Sequence, residues 1–234
     1  MTLLPVVACA AAVTGTLARG AFSPNSRVFG RAIGHGSRNT RSIYLTFDDG
    51  PSPSATPGIL STLSGRNVPA AFFMIGAHAE SFASIAREVA GAGHEIGNHT
   101  QRHRKLHLRG PRVVRAELEE AHARLVDITG RSPRTFRAPH GYRNPFVTAE
   151  ARRLGYSVIG WSFGVWDTAL PGAGEIRRRV RARLRPGSIV LLHDGDGYDA
   201  RGDRSQTADA LPGIIDDAMN AGFAIRPLSE LLEG

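Results

Sequence analysis

Seven short strand-like stretches, each separated from the next by a helix-like one, set the tightest limit on what this chain can fold into. They lie at 43–48, 69–75, 94–98, 134–137, 156–162, 188–193 and 223–226. The first, Ile43-Tyr44-Leu45-Thr46-Phe47, is β-branched and aromatic, as a buried strand requires. Between the runs the helix-like stretches have recognisable ends. Thr56-Pro57 opens one that Gly65 closes, Pro111 opens one that runs to Gly130, and Gly155 closes another. Val113, Leu118, Ala121 and Leu125 recur at helical spacing and predict one buried face, while Asp209 and Pro212 are expected to mark the start of the last long helix. No hairpin signal interrupts the alternation, so seven βα-like units imply an α/β fold with a parallel sheet, open or closed into a barrel. With 234 residues the chain is long enough for one large core and too short for two full-size domains.

The reactive side chains fall at the ends of these runs. Asp48 and Asp49 end the first, His99 follows the third, Arg137 ends the fourth, Asp167 follows the fifth and His193 ends the sixth. A barrel gathers strand C-termini at one mouth, where (β/α) barrel enzymes carry their chemistry. Gly50-Pro51-Ser52-Pro53 cannot continue the first strand, and Asp48-Asp49 taken alone also fit the start of a turn. In extended chain the two carboxylates face opposite ways, one towards a metal and the other towards a substrate. His99 and His103 are four residues apart, which places them on one face of a helical turn. With one carboxylate they form a three-ligand set that leaves positions for water and substrate, as in catalytic rather than structural zinc.

Thr46-Phe47-Asp48-Asp49-Gly50-Pro51 followed by His99-Thr100-Gln101-Arg102-His103 resembles the first two motifs of the polysaccharide deacetylase (NodB-homology) family, carbohydrate esterase family four. The resemblance implies a distorted (β/α) barrel of about seven parallel strands and hydrolysis of N-acetyl groups on an amino-sugar polymer. It implies a divalent metal on Asp49, His99 and His103, zinc foremost, with cobalt, manganese or nickel as alternatives, and Asp48 as general base. Arg137-Ala138-Pro139-His140-Gly141 resembles the third motif, in which Arg137 orients Asp48 and the backbone N–H of His140 stabilises the oxyanion; His140 stands where the family commonly has tyrosine. Ile189-Val190-Leu191-Leu192-His193-Asp194 resembles the fifth, with Leu191 lining the acetyl pocket and His193 as general acid held protonated by Asp167. The fourth motif matches in part, because Gly164 and Thr168 replace an aspartate and a tryptophan; Trp161 or Trp166 is the substitute aromatic wall, Trp161 reading also as a core residue at the end of a strand, and Tyr142 joins Trp161 and Leu191 as a substrate contact. His94 is expected to make structural hydrogen bonds inside the sheet, and His78, His107 and His122 to be surface or loop residues.

Residues 1–22 read as an apolar export signal or short membrane anchor, 23–40 as a polar linker and 41–234 as the catalytic domain; a cytoplasmic location is the alternative. Cys9 is the only cysteine, which excludes an internal disulfide and a cysteine-ligated zinc. The net charge of +8 comes almost wholly from arginine, Lys105 being the only lysine. It favours an anionic cell-envelope surface, or reflects arginine usage without a partner; no nucleic-acid motif accompanies it, and the Arg177-Arg178-Arg179 run fits a solvated helix face. The expected partner is an acetylated glycan, bound by a monomer. An O-acetyl esterase of the same chemistry and a glycan-binding relative without turnover are the competing readings.

Overall fold

The computed structural model describes residues 3–232. Strands β1 (Ser42–Asp48), β2 (Ala71–Met74), β3 (Glu95–Asn98), β4 (Thr135–Phe136), β5 (Ser157–Val158), β6 (Phe163–Gly164) and β7 (Ile189–His193) pair side by side in the order β5-β4-β3-β2-β1-β7-β6. Every pairing is parallel, and the sheet curls into a half-barrel, as the alternating pattern implied. A short β8 (Ala224–Ile225) pairs in parallel with the start of β1. Helices α1 (Leu3–Phe22), α2 (Thr56–Gly65), α3 (Gly76–Ser81), α4 (Ala83–Gly91), α5 (Pro111–Thr129), α6 (Pro145–Arg153), α7 (Ala173–Arg183) and α8 (Ser205–Asn220) complete the described elements.

β1 holds the centre, flanked by β2 and β7, and six of its seven residues are buried because both faces are covered. Phe47 stacks on Phe72 at 5.1 Å between ring centroids, beneath the aliphatic faces of α2, α4, α7 and α8. On α5 the buried face is Val114, Leu118, Ala121 and Leu125; Val113 is only half-buried, and Val114 takes its place because it lies four residues before Leu118. α5 ends at Gly130, whose φ of 67° is the left-handed C-terminal cap that glycine adopts without strain. α8 starts at Ser205, where the Asp203 carboxylate accepts from its N–H, and it carries Pro212 inside rather than at its start. The apolar run 156–162 divides after Val158, and the following residues turn into the separate strand β6.

Residues 23–40, expected as a linker, run along the domain. The Ile33 N–H donates to Val158 O at 2.9 Å and its carbonyl accepts from Gly160, while Gly36 N–H donates to Gly187 O at 2.8 Å. The segment thus ties the β5 edge to the start of β7. Buried Arg143 holds it from below, donating to Pro24 O and Ser26 O, and Asn25 donates to Trp161 O. α1 covers the apolar stretch expected at 1–22, of which residues 1–2 lie outside the described residues. No helix among the described residues is long and apolar enough to cross a membrane.

Candidate active site

The C-terminal ends of the strands open into a cleft of about 560 Å³, lined among others by Asp48, Asp49, His99, His103, His140, Tyr142, Trp161, Leu191 and His193. Two local departures from regular structure build it. Asp48 ends β1 in register with His193 of β7, but Asp49 takes a φ of 74° and leaves the strand. The alternation expected of extended chain therefore stops, and both carboxylates approach the same imidazole: His99 Nε2 lies 3.2 Å from Asp49 Oδ1 and 3.8 Å from Asp48 Oδ2. Nor is His99–His103 a helical turn. Thr100 and His103 have φ of 72° and 51°, because Asn98 Oδ1 accepts from Thr100 N–H and Thr100 Oγ1 accepts from His103 N–H. These side-chain bonds replace the helical ladder and fold the loop back on itself.

Asp49, His99 and His103, all buried, converge with one donor atom each within 4.8 Å. His103 Nε2 is 3.1 Å from Asp49 Oδ1, which is buried without a hydrogen-bond donor. His99 Nδ1 lies 2.8 Å from Arg137 O, so it carries the proton and donates there. Its Nε2 thus presents a lone pair to a carboxylate oxygen, an arrangement that fits a cation between them. Donor atoms around a tetrahedral zinc, with bonds of about 2.0–2.2 Å, lie about 3.3–3.6 Å apart, close to the 3.2 Å and 3.1 Å that separate Asp49 Oδ1 from the two imidazole nitrogens. Burial alone would raise Asp49, but the adjacent His103 holds it well below the usual carboxylate range. The donor set therefore suits a divalent metal.

A charged pair stands on either side. Arg137 is fully buried and donates from Nη1 to Asp48 Oδ1 at 2.6 Å and to Thr46 Oγ1, and from Nη2 to Gly160 O; its guanidinium lies over the Phe73 ring. Opposite, His193 Nδ1 donates to Asp167 Oδ1 at 2.9 Å, and Asp167 Oδ2 accepts from the His193 N–H and from Thr207 Oγ1. Burial works against a charged His193, but the Asp167 carboxylate outweighs it and raises the imidazole to about 9, with Asp49 and Asp48 adding to the effect. Asp167→Asn removes the dominant raising charge. The alkaline limb of any activity that needs protonated His193 is expected to move to lower pH, since the acid form is lost as pH rises through a folded pKa no longer held near 9. A pH–rate profile of the variant checks this, and an unmoved limb would contradict it.

Three contributors carried no role in the sequence reading. Asp194, beside His193, is buried and accepts from Thr56 Oγ1 at 2.7 Å and from Gly50 N–H; burial pushes it up to about 7, the nearby Asp49 and Asp48 charges adding and Thr56 opposing. A Cβ at Gly50 would fall 2.0 Å from Asp194 Oδ2, so the turn after Asp49 and this carboxylate fit only as a pair. His78 is buried, not a surface residue, and its Nδ1 donates to Asp49 O at 2.8 Å. Gly197 backs His103: a Cβ there would lie 2.3 Å from His103 Nδ1. Gly197→Ala should displace the imidazole and weaken metal binding about 10–100-fold, the usual effect of disturbing a ligand's support; competition with a chelating dye measures it. His94 packs its ring against Phe72 at 5.5 Å, and His122 meets the Tyr156 hydroxyl at 2.6 Å.

Of the other expected residues, His140 has a φ of 58° and its ring lies 4.9 Å from that of His103, Trp161 packs against Gly141, and Leu191 lies beside Gly164, its register partner on the neighbouring strand, with both lining the cleft. Tyr142 joins Phe22 and His107 in an edge-to-face cluster at the rim. A parallel half-barrel whose strand ends bring a candidate three-ligand group between an Asp–Arg and a His–Asp pair defines a barrel protein with a candidate metal centre at its mouth. Comparison with known proteins narrows this. Residues 35–159 match the polysaccharide deacetylase family model, and the chain belongs to that family.

The chitooligosaccharide deacetylase of Bradyrhizobium sp. (strain ANU 289) is 39% identical over 201 residues, covering 82% of this chain and 91% of that protein. A peptidoglycan-N-acetylglucosamine deacetylase of Bacillus cereus is 35% identical over 196 residues, covering 83% and 89%. The solved structure of the Bc1960 peptidoglycan N-acetylglucosamine deacetylase superposes with a TM-score of 0.80 at 30% identity, over 86% of this chain and 92% of that one.

Proposed function

We propose that this protein is a divalent-metal-dependent hydrolase that removes N-acetyl groups from an amino-sugar polymer. The observation that carries the reading is the convergence, in one cleft, of the Asp49–His99–His103 group with Asp48–Arg137 on one side and His193–Asp167 on the other. When held by the three ligands, a divalent cation, zinc foremost, supplies electrophilic pull on the acetyl carbonyl and lowers the pKa of water from about 15.7 towards about 7. Asp48, oriented by Arg137, accepts the proton of the water that attacks the carbonyl carbon. The His140 backbone N–H, turned by its left-handed φ, donates to the oxygen as negative charge develops there. His193 then gives its Nε2 proton to the departing amine nitrogen as the C–N bond breaks, Asp167 fixing the ring through Nδ1. Leu191 and Trp161 shape the pocket for the acetyl methyl. Metal analysis of the purified protein coupled to acetate release from N-acetylated glycans tests this. Stoichiometric metal with release is the expected result, and release without metal would overturn it.

Gly164 and Thr168, both on the cleft wall, favour one second reading. They leave that wall without the carboxylate and indole the fourth motif usually supplies, which suits an O-acetyl ester on a less closely gripped sugar. Acetate release from an O-acetylated glycan, with none from the N-acetylated one, would select it.

A further inference from the structure

The cleft does not stop at the acetyl pocket. Trp166 stands at its rim, 73% exposed and with a left-handed φ of 56°, a backbone state that bulky residues seldom adopt and that holds the indole out into solvent. Beyond it lies a second, shallower groove of about 590 Å³. Trp166 and Arg183 line both concavities, so the two are continuous. The floor of the second is α7, through Glu175, Arg178, Arg179 and Arg183. Arg178 and Arg179 share the single Glu175 carboxylate, and Arg183 Nη1 donates to Gly164 O at 2.8 Å. Three guanidinium groups facing one carboxylate leave two positive charges uncompensated beside an exposed aromatic ring. Arg178 and Arg179 of the arginine run therefore line a groove that opens into the catalytic cleft.

We infer that this groove is a subsite for a carboxylate-bearing sugar of the glycan being deacetylated. The sugar's C–H face lies on the Trp166 indole, and its carboxylate meets the arginines of α7, whose planar forks match it. The inference rests on the deacetylase reading and narrows its substrate to an acidic glycan. Its carboxylate is the lactyl ether of a muramic acid or a uronic acid.

The test uses the zinc-loaded full chain and three tetrasaccharides: a neutral N-acetylglucosamine oligomer, an alternating N-acetylglucosamine–N-acetylmuramic acid strand, and an N-acetylglucosamine–glucuronic acid oligomer. At least one acidic glycan should show a lower KM than the neutral one, and that advantage should shrink as salt is raised; the acidic glycan that gains identifies the carboxylate. Arg178→Glu should raise KM for that glycan about fivefold with kcat kept, and leave the neutral oligomer's KM within about twofold. Equal KM and equal salt response on all three, or an Arg178→Glu effect of the same size on neutral and acidic glycans, would overturn the inference. Should no glycan release acetate, the deacetylase reading falls, and the subsite is judged by quenching of tryptophan fluorescence. Tighter binding of an acidic glycan, weakened in Arg178→Glu, supports the subsite; no preference over the neutral oligomer overturns it.

Discussion

Asp49→Ala is expected to lose bound metal and acetate release together. Asp49 supplies the only carboxylate of the three-ligand group, and its Oδ1 stands 3.2 Å and 3.1 Å from the two imidazole nitrogens. Without it two neutral imidazoles remain, which hold a divalent cation weakly because the negative charge of the set is gone. Metal content should fall from about one equivalent to near zero, and turnover by at least about 10³-fold, since both the pull on the carbonyl and the acidified water depend on the cation. Elemental analysis beside an acetate assay reads both quantities. Full metal occupancy in a folded Asp49→Ala protein would show that the ligand set is wrong.

Asp48→Asn should separate what Asp49→Ala joins. Asp48 lies 3.8 Å from His99 Nε2, farther than Asp49, and its Oδ1 is taken by Arg137. The amide keeps the shape but cannot accept a proton, so metal should stay bound while turnover falls about 10²–10⁴-fold. Arg137 would then be a fully buried cation facing a neutral partner, with only Thr46 Oγ1 and Gly160 O still accepting. Breaking a buried pair costs about 3–5 kcal/mol, so a lower melting temperature accompanies the loss of rate, and unchanged metal content is what assigns the loss to chemistry. Wild-type turnover in this variant would remove Asp48 from the role of base.

The sheet was legible because its central strands β1, β2 and β7 are largely apolar and the strand-like stretches are separated by helices with glycine or proline at their ends, a pattern few other folds accept. The cleft was legible because its reactive groups sit at strand ends, so topology alone collects them. What escaped the sequence depends on backbone states set by side-chain bonds between neighbours. Asn98 and Thr100 turn a His-x-x-x-His spacing away from helix, and the left-handed Asp49 cancels strand alternation. His78 and Asp194 escaped because each acts on the turn after β1 from a remote point in the chain, which spacing cannot encode. β6 consists of two residues and offers too little pattern to separate it from β5.

Pro24 to Gly36 works as a drawstring on the curled sheet, and this bounds how the front of the protein can be trimmed. Any peptidase that matures the polypeptide must cut ahead of Pro24, because Arg143 would otherwise be left with its guanidinium buried and its Pro24 and Ser26 acceptors gone. A recombinant version started at Arg41, where the sequence alone invites the cut, would lack the tie between Ile33 and the β5 edge and the Asn25 anchor beneath Trp161. The Trp161 side of the cleft would then keep its packing on the sheet but lose the strap that closes over it.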